Sequence, residues 1–464
     1  MAVISIVSKK ELECGTRIDA EYYRPEYAKL EEILLASNPL PLKKLVKSIK
    51  SFGAYSLMNQ VTYQEKGIPF LRAIDIKEGY ADFSNVVRIT KDAHKLLWKS
   101  EIKPRNVLLA MSGSVGNSCV ASDKWKYPIN SSQDLAKITV ADIINPYLLS
   151  TFLNSKYGRF QTQRLPVGSI QQRVFLWQIG LIKVPLLTNI QEYIACLVQN
   201  SETKLQESEN LYFQAEQILL SELGLHSWKP RHTLTYVRSF SQVAKASRMD
   251  AEHFQPKYKE MFDRLPSNVY LQLLGKITLY TKGIEVGSSA YTESGIPFLR
   301  VSNLSKHGIV DDTVNFISNE LYNVLREKYE PQQGEILLSK DATPGIAYFL
   351  DESVQGIIAS GILRLSLIED IPPYYLELVL NSIFVQLQIE QSVGGSIIKH
   401  WKPSQVQKTW IPRLLADREK EISALVQQSH AARREAKTLL EKAKRAVEIA
   451  IEYGEQQAMD FLCK

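Results

Sequence analysis

The sequence predicts a mixed α/β (α+β) protein made of two copies of one globular unit, each copy followed by a long amphipathic helix. Three observations carry this reading. The 464-residue chain repeats itself at a shift of nearly half its length, short β-type runs broken by turn residues fill each copy, and a narrow apolar stripe follows each copy.

The repeat comes first because it organises everything else. Gly67-Ile68-Pro69-Phe70-Leu71-Arg72 returns as Gly295-Ile296-Pro297-Phe298-Leu299-Arg300, a shift of 228 residues. Arg17-Ile18-Asp19-Ala20-Glu21 returns as Arg248-Met249-Asp250-Ala251-Glu252, and Val107-Leu108-Leu109-Ala110 as Ile336-Leu337-Leu338-Ser339. Leu153-Asn154-Ser155 matches Leu380-Asn381-Ser382, and Gly168-Ser169-Ile170 with Val184-Pro185 matches Gly395-Ser396-Ile397 with Ile411-Pro412. Five blocks in one order, at shifts between 227 and 231, mark duplication of a large unit rather than a short-period solenoid. Within the first copy, strands are expected over Ile68 to Ile74, Val86 to Ile89, Asn106 to Met111 and Leu135 to Val140, with a helix at Tyr147 to Ser155 and another around Tyr374 to Asn381 in the second copy.

After Pro185 the character changes. Ile190, Ile194, Leu197, Val198, Leu205, Leu211, Ala215, Ile218, Leu219 and Leu223 recur at helical spacing, and Gly224 ends the run. Glu209 to Gln214 matches the recognition site of a protease used to remove tags, yet it keeps the register of the stripe and belongs to the helix. After Pro412 a second stripe follows through Ile422, Leu425, Val426, Ala432, Ala436, Leu439, Leu440, Ala443, Val447 and Ile451. One such helix would pack on its own domain; two at equivalent positions point to a coiled coil, each a rod of about 50 Å. The chain thus divides into a globular domain over 1–187, a helix region over 188–226, a second domain over 227–413 and a second helix region over 414–464. The acid-free stretch from Trp228 to Arg248 is the junction.

Composition excludes several classes. With 45% apolar and 23% charged residues the chain is ordinary globular protein, and no apolar run approaches the roughly 20 residues of a membrane helix. The N-terminus makes a poor signal peptide, and Cys14, Cys119, Cys196 and Cys463 are scattered, as reduced thiols of a cytoplasmic protein would be. No phosphate loop, dinucleotide fingerprint or repeated nucleophile–base pairing occurs, and Ile371-Pro372-Pro373-Tyr374 lacks the polar first residue of an adenine-binding tetrapeptide. The expectation is a recognition protein that is not an enzyme and that binds no cofactor or metal itself.

Net charge is +6, but its distribution says more. No acid falls between Asp142 and Glu192, where Lys156, Arg159, Arg164 and Arg173 lie among Tyr157, Phe160, Phe175 and Trp177. The matching stretch from Gln391 to Ala416 is also acid-free and carries Lys399, His400 and Lys402 beside Trp401. Unopposed positive charge interleaved with aromatics suits a phosphate backbone, and its recurrence strengthens the case over a merely solvated basic face.

Together these motifs resemble the specificity (S) subunit of type I restriction–modification systems. The Arg-x-Asp-Ala-Glu segment, the Gly-Ile-Pro-Phe-Leu-Arg block, the Gly-Ser-Ile followed by an apolar-Pro pair and the helix after it carry the resemblance, which spans essentially the whole chain. It implies two target recognition domains, an antiparallel coiled coil that spaces them, and a split target in double-stranded DNA with one half-site per domain. It also implies recruitment of two modification subunits that methylate adenine with S-adenosylmethionine, and of two restriction subunits that use ATP and Mg. A coiled-coil scaffold with two domains for ligands other than DNA is the alternative; it leaves the paired basic stretches unexplained.

The halves diverge most between the matching blocks, where reading loops are expected. One half presents Ser112, Ser114 and Asn117, then Lys124-Trp125-Lys126-Tyr127; the other presents Lys340 and Thr343. With the basic residues above, these are the candidate DNA contacts. The matching Arg72 and Arg300 are either phosphate or base contacts or ion pairs under a turn.

Overall fold

The computed structural model describes residues 6–8, 12, 18–52, 61–165, 173–310, 314–393 and 399–463. Both Gly-Ser-Ile blocks lie outside the described residues. The chain forms two compact units, Met1–Leu205 with Arg434–Lys464, and Gln206–Arg433.

In the first unit an antiparallel sheet runs in the order Val46–Lys50, Leu135–Val140, Val107–Ala110, Ser118–Val120. Every residue of Val107–Ala110 is buried, as its unbroken apolar run demands of a strand covered on both faces. A second sheet orders Val87–Ile89, Ile68–Leu71, Ile129–Ser131 and Glu101–Ile102, with the middle pair parallel. Helices Pro146–Asn154 and Lys156–Arg164 cover the first sheet and place Tyr147, Leu149, Phe152 and Tyr157 in the core.

The second unit has the same plan. One sheet orders Thr278–Lys282, Ile362–Leu367, Ile336–Ser339 and Ala347–Phe349; the other orders Tyr291–Thr292, Asn315–Ile317, Ile296–Leu299 and Ile357–Ile358. Again the strand bearing the Ile-Pro-Phe-Leu block pairs antiparallel on one side and parallel on the other.

The repeated blocks mark places where the backbone needs a particular side chain. Gly67 and Gly295 sit at φ 148° and 144°, and a Cβ on either would lie 2.3 Å from the carbonyl oxygen of Ile89 or Ile317. Asn154 accepts from Ser118 N–H and donates to Ser118 O, while Asn381 does the same for Ala347. Gln161 closes a two-bond ring on Lys183, and Gln388 repeats it on Trp410. Buried backbone groups without such partners cost free energy, so these residues withstand divergence.

The long helices are Gln191–Glu222 and Ala416–Tyr453. Gly224, at φ 66°, closes the first as expected, with Leu225 N–H bonded back to Leu220 O. In the first unit, Ser201 Oγ donates to Ala436 O and Asn189 N–H to Glu455, so the segments there run antiparallel, with Ala443, Ala446 and Ala450 sharing a core with Ile190, Ile194 and Val198. In the second unit, Ser208 meets Ser429 and Glu222 meets Arg418, again antiparallel. The apolar pattern passes over these buried serines, whose small hydroxyls fit the stripe and bond across it. It also gives no sign of a break at Gly454 (φ 97°), after which helix Glu455–Leu462 packs Ala458 and Met459 into the first unit's core.

Candidate nucleic-acid interface

In each unit the hairpin leaving the central strand makes a turn held by a positive-φ glycine. Gly116 has φ 91° and its copy Gly345 has φ 95°. A Cβ would strike Thr162 Oγ1 at 2.5 Å in one and Ile389 at 2.4 Å in the other. The backbone is therefore the same while the sequence around it differs.

The first turn brings together Ser112, Ser114, Asn117, Arg159 and Arg173. Asn117 donates to Ile76 O and accepts from Arg159 Nη2 at 2.6 Å; Arg159 also donates to Val115 O and pairs with Glu78 at 2.6 Å. Ser112 forms an isolated bridge with Arg173, whose guanidinium donates to Gln133 O. Arg159 is thus the buttress of the turn with Asn117 buried beneath it, and the side chains left at its rim are those of half-buried Ser112, Ser114 and Arg173.

The second turn brings together Lys340, Thr343, Lys399, His400 and Lys402. Asp341–Ala342 pairs with Lys399–His400 as a two-stranded ladder, and Trp401 N–H donates to Lys340 O. Asp341 takes the Lys340 amine and lies 2.9 Å from His400 Nδ1. Burial alone would raise the Asp341 carboxyl, but hydrogen bonds from Lys340 and His400 outweigh it and hold the group below its ordinary range. Lys399, His400 and Lys402 are exposed. Arg173 of the first turn stands where His400 does, and the second turn adds Asp341, Lys399 and Lys402 to that place in the fold.

Other expected residues lie elsewhere. Arg72 makes a bidentate pair with Asp75 and donates to Asn85 O, the ion pair under a turn. Arg300 faces Asn303 at that position, where its N–H donates to the amide oxygen. Lys124-Trp125-Lys126-Tyr127 lies beside the first long helix: Lys124 donates to Thr203, Ser122 to Glu202, and Tyr127 back to Ser122 O, while Trp125 packs edge-on against Phe83. Burial pushes the Glu202 carboxyl up to about 7.

The first basic stretch is not unopposed in three dimensions. Glu452 pairs with Lys156 at 2.5 Å, Glu78 with Arg159, and Glu31 with both Arg164 (2.8 Å) and Lys183 (2.7 Å). Those acids come from distant sequence, so a local scan for charge could not find them. Arg105 escapes sequence reasoning for the opposite reason. It takes φ 64°, a conformation its copy gives to Gly334, and it lines an open, polar cavity of about 390 Å³ with Lys47, Asn106, Asp142 and Glu192. Aligning Arg105 with a glycine in the second copy is the signal that marks it.

No family model and no curated protein sequence matches the chain. Solved structures do. The type I restriction–modification S subunit of M. genitalium aligns at 12% identity over 91% of this chain and 95% of that one, with a TM-score of 0.34. The HsdS subunit of Thermoanaerobacter tengcongensis aligns at 14% over 89% and 96%, with a TM-score of 0.28. A chain from a study of complex assembly and conformational transition in the type I R-M system aligns at 15% over 90% and 97%, also at 0.28. The chain is similar to type I S subunits. Superpositions this loose leave its function to be argued from its own residues.

Proposed function

We propose that the chain is the non-catalytic, sequence-specific DNA-binding subunit of a type I restriction–modification complex. One observation carries the proposal: the same hairpin turn, fixed by the same glycine, bears Ser112, Ser114 and Arg173 in one unit and an Asp341–Lys340–His400 charge cluster in the other. Base edges in the major groove offer donor and acceptor patterns that differ from pair to pair, so two chemistries on one scaffold suit two different half-sites. The domains over 1–187 and 227–413 read one half-site each, and the long helices set the unread spacer between them. Exposed Lys399 and Lys402 neutralise phosphates in this reading. The complex assembles in the cytoplasm with two adenine-methylating modification subunits, which hold S-adenosylmethionine, and two restriction subunits, which hold ATP and Mg. The test is co-expression with the neighbouring genes followed by methylation mapping of host DNA. An asymmetric bipartite motif is expected; a perfect palindrome or one continuous motif would refute the proposal.

A further inference from the structure

Of the four aromatics set among the basic residues of the first acid-free stretch, the structure buries two and exposes two. Tyr157 and Phe160 belong to the core of the first unit, whereas Phe175 and Trp177 are 46% and 62% exposed. The cations of the same stretch, Lys156, Arg159, Arg164 and Arg173, are drawn into ion pairs with Glu452, Glu78, Glu31 and Asp134. Aromatic surface more than charge is what this edge of the unit offers a ligand.

The backbone beneath Phe175 is clamped to the first turn, and both units have the clamp. Val174 N–H donates to Met111 O, Phe175 N–H to Gln178 Oε1, and Gln178 Nε2 to Leu165 O. In the second unit Trp401 N–H donates to Lys340 O, Lys402 N–H to Gln405 Oε1, and Gln405 Nε2 to Ser392 O. Leu165, Val174, Phe175 and Gln178 each stand 227 residues before their counterparts. Phe175 therefore occupies the place of Lys402, Trp177 that of Ser404, and Leu181, 40% exposed, that of Lys408. Lys402, Ser404 and Lys408 are exposed too, so the outward positions are kept while their chemistry changes.

A position that meets the duplex in one half-site meets it in the other, because scaffold and clamp are the same. Phe175 also lies two residues from Arg173, which bridges Ser112 of the turn. An aromatic ring there gains nothing from a phosphate, but the major groove holds one apolar group that suits it, the C5-methyl of thymine.

We infer that Phe175 and Trp177 read thymine methyl groups, so that the first unit recognises A·T pairs of its half-site by apolar contact. This inference rests on the function proposed above and adds the chemistry that the first unit reads. It is tested with the full chain, the subunits encoded beside it, and duplexes carrying the motif that methylation mapping returns. Deoxyuridine in place of thymidine removes only the methyl group. In one half-site this replacement should weaken wild-type binding by about fourfold for each methyl met. Phe175→Ala with Trp177→Ala should lose that sensitivity and bind the other half-site as the wild type does, which shows within one molecule that the variant is folded. Phe175→Lys with Trp177→Ser, which copies the second unit, should lose it as well. Equal wild-type binding to thymine and uracil duplexes overturns the inference, as does a variant that keeps the sensitivity. Variants that keep it but release a neighbouring subunit overturn it too, and make the aromatics a protein contact. A wild-type chain that binds no duplex at all overturns the proposed function with it.

Discussion

Glu202 on the first long helix and His430 on the second stand 228 residues apart, at equivalent places in the two units. Glu202 accepts from Ser122 and is pushed up to about 7 by burial. His430 instead lies 3.1 Å from Glu377, stacks on Tyr348 with ring centroids 5.2 Å apart, and leaves Glu377 wholly buried, where desolvation raises its carboxyl. The acid has moved from the helix to the domain. Around these pairs Asn154 and Asn381, or Gln161 and Gln388, make the same bonds in both units. Side chains that satisfy backbone groups have been kept, while side chains that satisfy one another have drifted.

That contrast is open to test. Asn154→Leu should do the most damage, because it strands the N–H of buried Ser118 and leaves its C=O only the Gly79 N–H, at roughly 1–3 kcal/mol. Thermal unfolding should then show an early transition in the first unit, and Asn381→Leu the same in the second. If either change were nearly silent, the backbone-rescue explanation of that repeated block would fail.

Glu202→Gln comes next. The folded carboxyl titrates near 7 against an ordinary value of 4.5. The folded state therefore holds its proton more tightly, and stability is lost as pH rises from about 4.5 through about 7. The glutamine variant should lack this loss and exceed the wild type above pH 7 by on the order of 2 kcal/mol. Denaturant unfolding between pH 5 and 8 measures it, and parallel curves for the two proteins would show that burial does not burden Glu202.

The basic residues should also separate. Lys156 and Arg164 are tied to Glu452 and Glu31, so alanine at both should leave the salt dependence of DNA binding nearly unchanged. Alanine at Lys399 and Lys402 should reduce the log–log salt slope by about 0.9 for each phosphate left without its lysine. A flattened slope in the first pair would return those residues to the DNA surface.

Much of the fold was legible in the sequence, for reasons that can be named. Strands such as Val107–Ala110 announced themselves because a strand covered on both faces must be apolar throughout, and Gly224 ended its helix because positive φ suits glycine there. The turn residues Ser112 and Asn117, and Lys340 and Thr343, were found because two copies could be compared and these positions differed. Pairing across the fold was not legible. Nothing near Arg164 in the sequence points to Glu31, and nothing near Lys124 points to Thr203 on the long helix. The break at Gly454 was hidden for another reason: apolar residues on both sides of it continue to be buried, so the pattern does not register the bend.

The central claim is that one scaffold reads two sequences, each through its own turn. The most direct measurement is methylation mapping in cells that carry the neighbouring genes and either the wild-type chain or Thr343→Ala with Lys399→Ala and His400→Ala. The account predicts a bipartite motif in which the variant relaxes one half-site while the other half-site and the spacer length stay as they are. An unchanged motif, or one altered in both halves, would contradict it.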